Sequence, residues 1–398
     1  MVILFFIVFI GMVGFGIILP IFPFYAERVG ASPVVITWTM AAFTLGQAFA
    51  APVWGRLSDA YGRRLVLILT MFGSALSYLM LAYADELWLV ITSRVFGGLM
   101  AGNIATAFAY VTDITTEKNR PAGLGKVGAA MGLGFIFGPA LGGLLAGAEV
   151  ETANFLRPAL TAAAISLITM VATMMFLPES LPRANRRPLF AARSGPPPVS
   201  LAAVNRGGLL KLIVAVLLFY VGMSQMESIF PIWAKDMYSM GPRDIGGVFF
   251  VIGIVTVIMQ GGLVGPLTRR FGEKSVAIAA GVFFAIGLGG MGLSTASWQL
   301  WVSLLPFGMG VGLFNPTVSS MVSRTAAAHE RGAIMGRYQS ASAIGRVIGP
   351  LVCGPLYTFV SMGAPFMLGA AIMLPVLWLL SQFVLHPEPP DPVAEPES

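Results

Sequence analysis

Gly55-Arg-Leu-Ser-Asp-Ala-Tyr-Gly-Arg-Arg64 returns 210 residues later as Gly265-Pro-Leu-Thr-Arg-Arg-Phe-Gly-Glu-Lys274. Two further stretches repeat at nearly the same offset. Phe135-Ile-Phe-Gly-Pro-Ala-Leu-Gly-Gly143 corresponds to Arg346-Val-Ile-Gly-Pro-Leu-Val-Cys-Gly354, and Gly98–Asn103 mirrors Gly310–Asn315. The chain is therefore a duplication. Around each copy of the first motif the sequence is apolar on both sides for the length of a bilayer crossing, ~20 residues. Such runs fall near 2–25, 34–55, 65–84, 87–112, 126–147 and 155–177, then near 209–233, 244–267, 274–294, 298–323, 333–358 and 364–385. The reading is an all-α membrane protein of twelve transmembrane helices in two pseudo-symmetric six-helix bundles. A duplication of this kind places a solute site near the midplane, between the halves.

Composition supports the same class. Hydrophobic residues make up 57% of 398 positions, charged residues 11%, and the mean hydropathy is +0.83. A soluble domain carries roughly 25% charged residues, so lipid is the solvent here. The pI of about 9.6 would suit a nucleic-acid binder, but the placement of the charges excludes one. Eighteen of the 24 Lys and Arg fall in alternate loops on one side. Arg28, Arg157, Lys235 and Arg243 fall on the other, and Arg94 and Arg346 lie within spans. That asymmetry puts the basic loops and both termini in the cytoplasm, in a cell inner membrane.

The expected organisation is an N-terminal bundle at 1–178, a cytoplasmic linker at 179–207, a C-terminal bundle at 208–385 and a disordered cytoplasmic tail at 386–398. The linker holds five Arg and the run Pro196-Pro197-Pro198, which favours extended chain. The first span starts at Met1 without a basic flank or cleavage site, so it reads as a retained helix. Cys353 is the lone cysteine, and His329 and His386 fall in a loop and the tail. No metal site or cofactor is expected. Gly123-Leu-Gly-Lys126 lacks phosphate-loop spacing, and no catalytic constellation is present, so the chain does not read as an enzyme.

The motifs resemble those of the major facilitator superfamily, in particular its twelve-span drug:proton antiporter branch, which includes the tetracycline exporters. The resemblance rests on Gly55–Arg64 between spans two and three, Arg94-Val-Phe-Gly-Gly98 in span four and Gly134-Phe-Ile-Phe-Gly-Pro-Ala-Leu-Gly-Gly143 in span five. Physically, Gly55 and Gly62 allow two helix ends and a tight turn to approach closely, and Asp59 is placed to cap span three. The resemblance implies that Asp59 belongs to a latch, closed while the cavity faces outward, with Arg63, Arg64 and Asp113 as available partners. In the second copy the matching position is Arg269, so that latch reads as degenerate. Gly138, Pro139, Gly142 and Gly143 permit a bend and close packing; the resemblance makes them the motif that seals one face of the domain interface.

An intramembrane charge costs at least ~2.5–3.5 kcal/mol on insertion scales and defaults to a functional role. Three are clear: Arg94, Glu227 and Arg346. Glu227, in Gln225-Met-Glu-Ser-Ile-Phe-Pro231, lies ~27 Å along span seven and is the carboxylate placed to exchange a proton. The alternative for it is a structural ion pair with Arg346. Arg94 matches the span-four arginine that the family associates with proton coupling. Gln225, Asn103, Asn315, Gln339, Phe22 and Phe230, with Arg346, are candidate lining of a substrate cavity. Tetracycline exporters carry acids at the places of Gly11 and Ser77, so a tetracycline–metal substrate is not implied. Two arginines against one carboxylate favour a neutral, zwitterionic or anionic amphiphile.

The expected activity is proton-coupled antiport exporting a small amphiphile by alternating access, by a protein expected to be a monomer and to bind no nucleic acid. A symporter or uniporter for an organic anion or other metabolite is the alternative, and a receptor that moves nothing is a third class. An alkaline phosphatase fused within 179–207 is expected to be inactive, and one fused within 239–243 active; the opposite pattern would invert the topology.

Overall fold

The computed structural model describes residues 1–116, 119–186, 188, 208–325 and 330–383. Residues 189–207 of the expected linker, His329, and the tail from 386 with His386 lie outside the described residues. In lipid a backbone polar group has no water to bond, so spanning chain must satisfy its N–H and C=O groups within itself. Helices do so, and the described residues contain no strand.

In the first half run α1 (Val2–Ile18), α2 (Phe22–Arg28), α3 (Pro33–Tyr61), α4 (Arg63–Ala82), α5 (Leu87–Met100), α6 (Asn103–Ile114), α7 (Arg120–Ala146) and α8 (Leu156–Phe176). The second half holds α9 (Leu209–Tyr238), α10 (Pro242–Ile258), α11 (Val264–Phe271), α12 (Glu273–Leu293), α13 (Ser297–Arg324), α14 (Arg331–Phe359) and α15 (Ala364–Ser381). Among the described residues, ten helical segments are long and apolar enough to cross a membrane. α13 and α14, at 28 and 29 residues, are more polar and stand where the tenth and eleventh spans are expected.

Three expected spans are interrupted. Span one breaks into α1 and α2 around Pro20, which has no N–H to donate. Span four breaks into α5 and α6 at Ala101-Gly102, where the Trp54 ring fills the space a side chain on Gly102 would need. Span eight passes through a π-helical turn, Met259–Leu263, between α10 and α11; such turns often mark functional positions.

The packing is duplicated along with the sequence. α1 packs on α7 and α8 as α9 packs on α14 and α15; α4 packs on α8 as α12 packs on α15; α3 packs on α5 as α10 packs on α13. The halves meet along two seams that the repeat exchanges, α7 with α10 and α14 with α3.

Both seams are tight at one face of the molecule. Gly143 lies against Pro242, Arg243 and Gly246, and a backbone bond of 3.2 Å runs from Arg243 N to Gly147 O. Gly354 lies against Thr37, and the Trp38 indole donates to Leu351 O at 3.1 Å. Lys235 pairs with Glu27 across the halves and with Asp236, 3.5 Å away, to which Tyr357 donates at 2.6 Å. Toward the other face the seams part. A Cβ on Gly55, Gly128, Gly132, Gly261 or Gly336 would meet no atom within 4 Å. The expected close approach at Gly55 is therefore absent from this form. At Gly62 the tight turn is present: φ is +108°, and a side chain would strike the Glu179 carboxylate.

That carboxylate corrects a second expectation. Asp59 does not cap α4; it lies in the last turn of α3 and bonds Arg63 instead. Glu179, on the strap leaving α8, accepts from Arg63 N at 2.8 Å and Arg64 N at 3.3 Å. The strap is held at both sides, by Tyr110 donating to Pro178 O and by Ser180 donating to Asp113.

Two outcomes follow from this arrangement. Glu179→Ala, which removes a helix cap, should cost about 1 kcal/mol, read as a lower thermal midpoint in detergent; an unchanged midpoint would show that the cap contributes nothing. Gly128→Cys should react quickly with a maleimide while Thr37→Cys and native Cys353, which are buried, stay protected; the reverse would exchange the open and closed faces.

Candidate functional site

Between the halves lies a cavity lined by residues of both. The first half supplies an apolar wall of Phe15, Phe22, Phe43 and Phe135 with Met40, and the polar groups Thr44, Gln47 and Arg94. From the second half come Ser224, Glu227 and Ser228 of α9 and Arg346 and Pro350 of α14. Positions 224, 227 and 228 share one face of a helix by their i, i+3, i+4 spacing. All three interior charges named from the sequence thus converge on one space.

Each charge is held differently. The Arg94 guanidinium is buried between two ring faces, with its Cζ 5.6 Å from the centroids of Phe22 and Tyr78. Its Nε and Nη2 make no hydrogen bond. Arg346 stacks over Tyr220 at 4.9 Å; Tyr220 donates to Asn315 Oδ1 at 2.8 Å, and Tyr338 donates to the same oxygen at 3.3 Å. Glu227 is half-buried and feels Arg346 as its opposite charge, but no ion pair within 4.0 Å is formed between them. Ser77, at the place of an acid in the tetracycline exporters, bonds Ser93 O at 2.7 Å beside Arg94.

Five expected lining residues are elsewhere. Gln225 and Phe230 sit on α9 but turned about 100° from the Ser224–Glu227–Ser228 face, since each residue advances the helix by that angle. Gln225 is buried with both amide atoms unpaired, and Phe230 packs edge-on against Phe249. Asn103 starts α6 and points at Met71 within the first half. Asn315 supports Tyr220 behind the wall rather than lining it. Gln339 is exposed two turns from Arg346 on the same face of α14, at the mouth. Polar type alone does not report which way a helix is turned. Phe15, Phe43, Phe135 and Tyr220 were not singled out; Phe135 was legible as the repeat partner of Arg346.

At the open face Arg63 bonds Asp59, Ser58 at 2.6 Å and Asp113 at 3.0 Å. Arg64 is not part of this cluster, because its guanidinium donates to Met174 O. The second half does not simply lack the cluster: it carries it with the charges reversed. The repeat maps Asp59, Arg63 and Asp113 onto Arg269, Glu273 and Arg324. Glu273 bonds Ser320 at 2.7 Å and pairs with Arg324 at 3.5 Å, while its other oxygen is buried and unpaired. In α7, Gly138 and Gly142 pack on Gly16 and Ile17 of α1, while Pro139 and Gly143 face Gly246 of α10. One motif thus serves the inside of its own half and the seam at once.

Comparison with known proteins agrees with this architecture. The family model of the Major Facilitator Superfamily matches residues 4–264 and 256–398. The chain is 28% identical over 373 residues to the class C tetracycline resistance protein of Escherichia coli, covering 91% of each. It is 29% identical over 383 residues to multidrug resistance protein 2 of Bacillus subtilis, covering 92% of this chain and 90% of that protein. Among solved structures, the human organic anion transporter MFSD10 (TETRAN) superposes with a TM-score of 0.70 at 23% identity, covering 95% of this chain and 98% of that one. The nucleoside transporter NupG superposes at 0.74 and 13% identity, covering 96% of this chain and 98% of that one. At those identities the structures speak for the fold. A duplicated bundle closed around one charged cavity, with the family's model matched along almost the whole sequence, makes this chain a transporter of the Major Facilitator Superfamily and not an enzyme.

Proposed function

We propose that the protein is a proton-coupled antiporter that exports a small amphiphilic molecule from the cytoplasm. The observation that carries the reading is the convergence of Glu227, Arg346 and Arg94 on one cavity at the junction of the halves. With both termini cytoplasmic, the open face is the cytoplasmic one and the closed seams are periplasmic. The form described is then the loading state.

In this reading Glu227 is the proton carrier. A carboxylate on the cavity wall is reached by water from whichever side is open, and intramembrane acids of pumps and transporters serve as relays. Arg346, across a gap from it, is the charge that Glu227 faces when ionised. Rocking about the two seams would open the Gly143–Gly246 and Thr37–Gly354 contacts and bring the splayed ends together. Similarity to tetracycline and multidrug resistance proteins supports export. Gly11 and Ser77, in place of acids, argue against a tetracycline–metal complex as the cargo.

A second reading has a specific observation behind it. Two arginines against one acid make the cavity positive, which suits proton-linked uptake of an organic anion. Proteoliposomes with an imposed pH gradient separate the two: accumulation driven by an acidic interior supports exchange, and uptake from an acidic exterior supports cotransport. Glu227→Gln, which keeps shape and removes the titration, should lose gradient-driven flux by at least about tenfold while still binding substrate. Unchanged coupling in that variant would sink the role given to Glu227.

A further inference from the structure

We propose that Arg94 is the subsite for an anionic oxygen of the transported molecule, and that this molecule is a zwitterionic amphiphile whose basic nitrogen meets Glu227 on the opposite wall. The first part stands on geometry. Arg94 is 6% exposed and on the cavity wall, yet Nε and Nη2 have no hydrogen-bond partner, and among the described residues no acid pairs with the group. A guanidinium has five N–H donors in a planar fork. Two ring faces at 5.6 Å stabilise the charge but accept none of those hydrogen bonds. A carboxylate matches the fork with two parallel, charge-assisted bonds. Arg346 is not equivalent: the field of Glu227 already acts on it, whereas Tyr78 is the ionisable group that acts on Arg94.

The body of the ligand is fixed by the wall beside Arg94. Phe15 and Phe43 stack at 5.6 Å with 30° between their planes, and Phe135 lies 6.2 Å from Phe15. Such a surface takes a flat apolar group by offset stacking.

The positive end follows from the exchange reading, on which this part rests. Coupling between two bound species is reciprocal. A purely anionic ligand near Glu227 would strengthen proton binding there, and the two would travel together. In exchange the ligand displaces the proton, and a positive charge brought to Glu227 does so directly. An unpartnered Arg94 and exchange at Glu227 together select a molecule carrying both charges at separated ends.

The test uses purified full-length protein in detergent and three matched probes: aminomethylbiphenyl carboxylate with its charges at opposite ends, its N-acetyl derivative (anion only) and its methyl ester (cation only). Calorimetry should show the zwitterion bound at least about tenfold more tightly than the ester. Arg94→Gln should bring those two within about twofold at an unchanged thermal midpoint, and Arg94→Lys should restore part of the gap. Equal binding of zwitterion and ester, a gap that survives in Arg94→Gln, or binding of none of the three overturns the subsite. An N-acetyl derivative that binds as tightly as the zwitterion overturns the zwitterion assignment. The exchange reading fails separately: a protein that keeps the Arg94-dependent gap but shows no gradient-driven flux in liposomes retains the subsite and loses antiport.

Discussion

Backbone-to-backbone contact between helices of different halves is the constraint on which the rest of the structure depends. At the α7–α10 seam Gly143 and Gly246 bring two helix backbones together, and at the α3–α14 seam Gly354 admits Thr37. Lipid supplies no hydrophobic drive for one apolar helix to prefer another, so close packing of small residues carries the association. Tight seams at one face and splayed helices at the other give the cavity a single mouth.

The cost of charge in lipid explains why the cavity lies where it does. Arg94, Glu227 and Arg346 come from α5, α9 and α14, which share no local sequence, yet all reach the space between the halves. Each is stabilised by something other than a direct ion pair: ring faces for Arg94, a ring face and a Tyr–Asn network for Arg346, and partial access to the cavity for Glu227. Charges left without tight partners remain available to a ligand or a proton, and a fully bridged set would not be.

Duplication preserved packing more faithfully than charge. The helix pairs of the first half recur one for one in the second. The clusters at the open face kept their positions but exchanged sign, with Arg63 between acids in one and Glu273 beside Arg324 in the other. Shape constrains every member of a helix pair, whereas an ion cluster needs only opposite signs in contact. Inversion leaves the local pairing of opposite charges intact.

Sequence by itself determined the solvent, the class and the repeat. Apolar runs of bilayer length, the exclusion of charge and the recurrence of Gly55–Arg64 at Gly265–Lys274 follow from local composition, which is what a span has to satisfy. Arg94, Glu227 and Arg346 were legible because a charge inside a span is conspicuous against 57% hydrophobic residues. Tertiary structure alone decided which polar residues face the cavity, since a turn of about 100° points Gln225 away from the wall that Ser224 and Glu227 line. It also decided that Glu179, far along the chain, caps α4 in place of Asp59, and that the mouth opens on one side. Those outcomes depend on helix rotation and on contacts between distant segments, and neither is encoded in the type of a residue or in its neighbours along the chain.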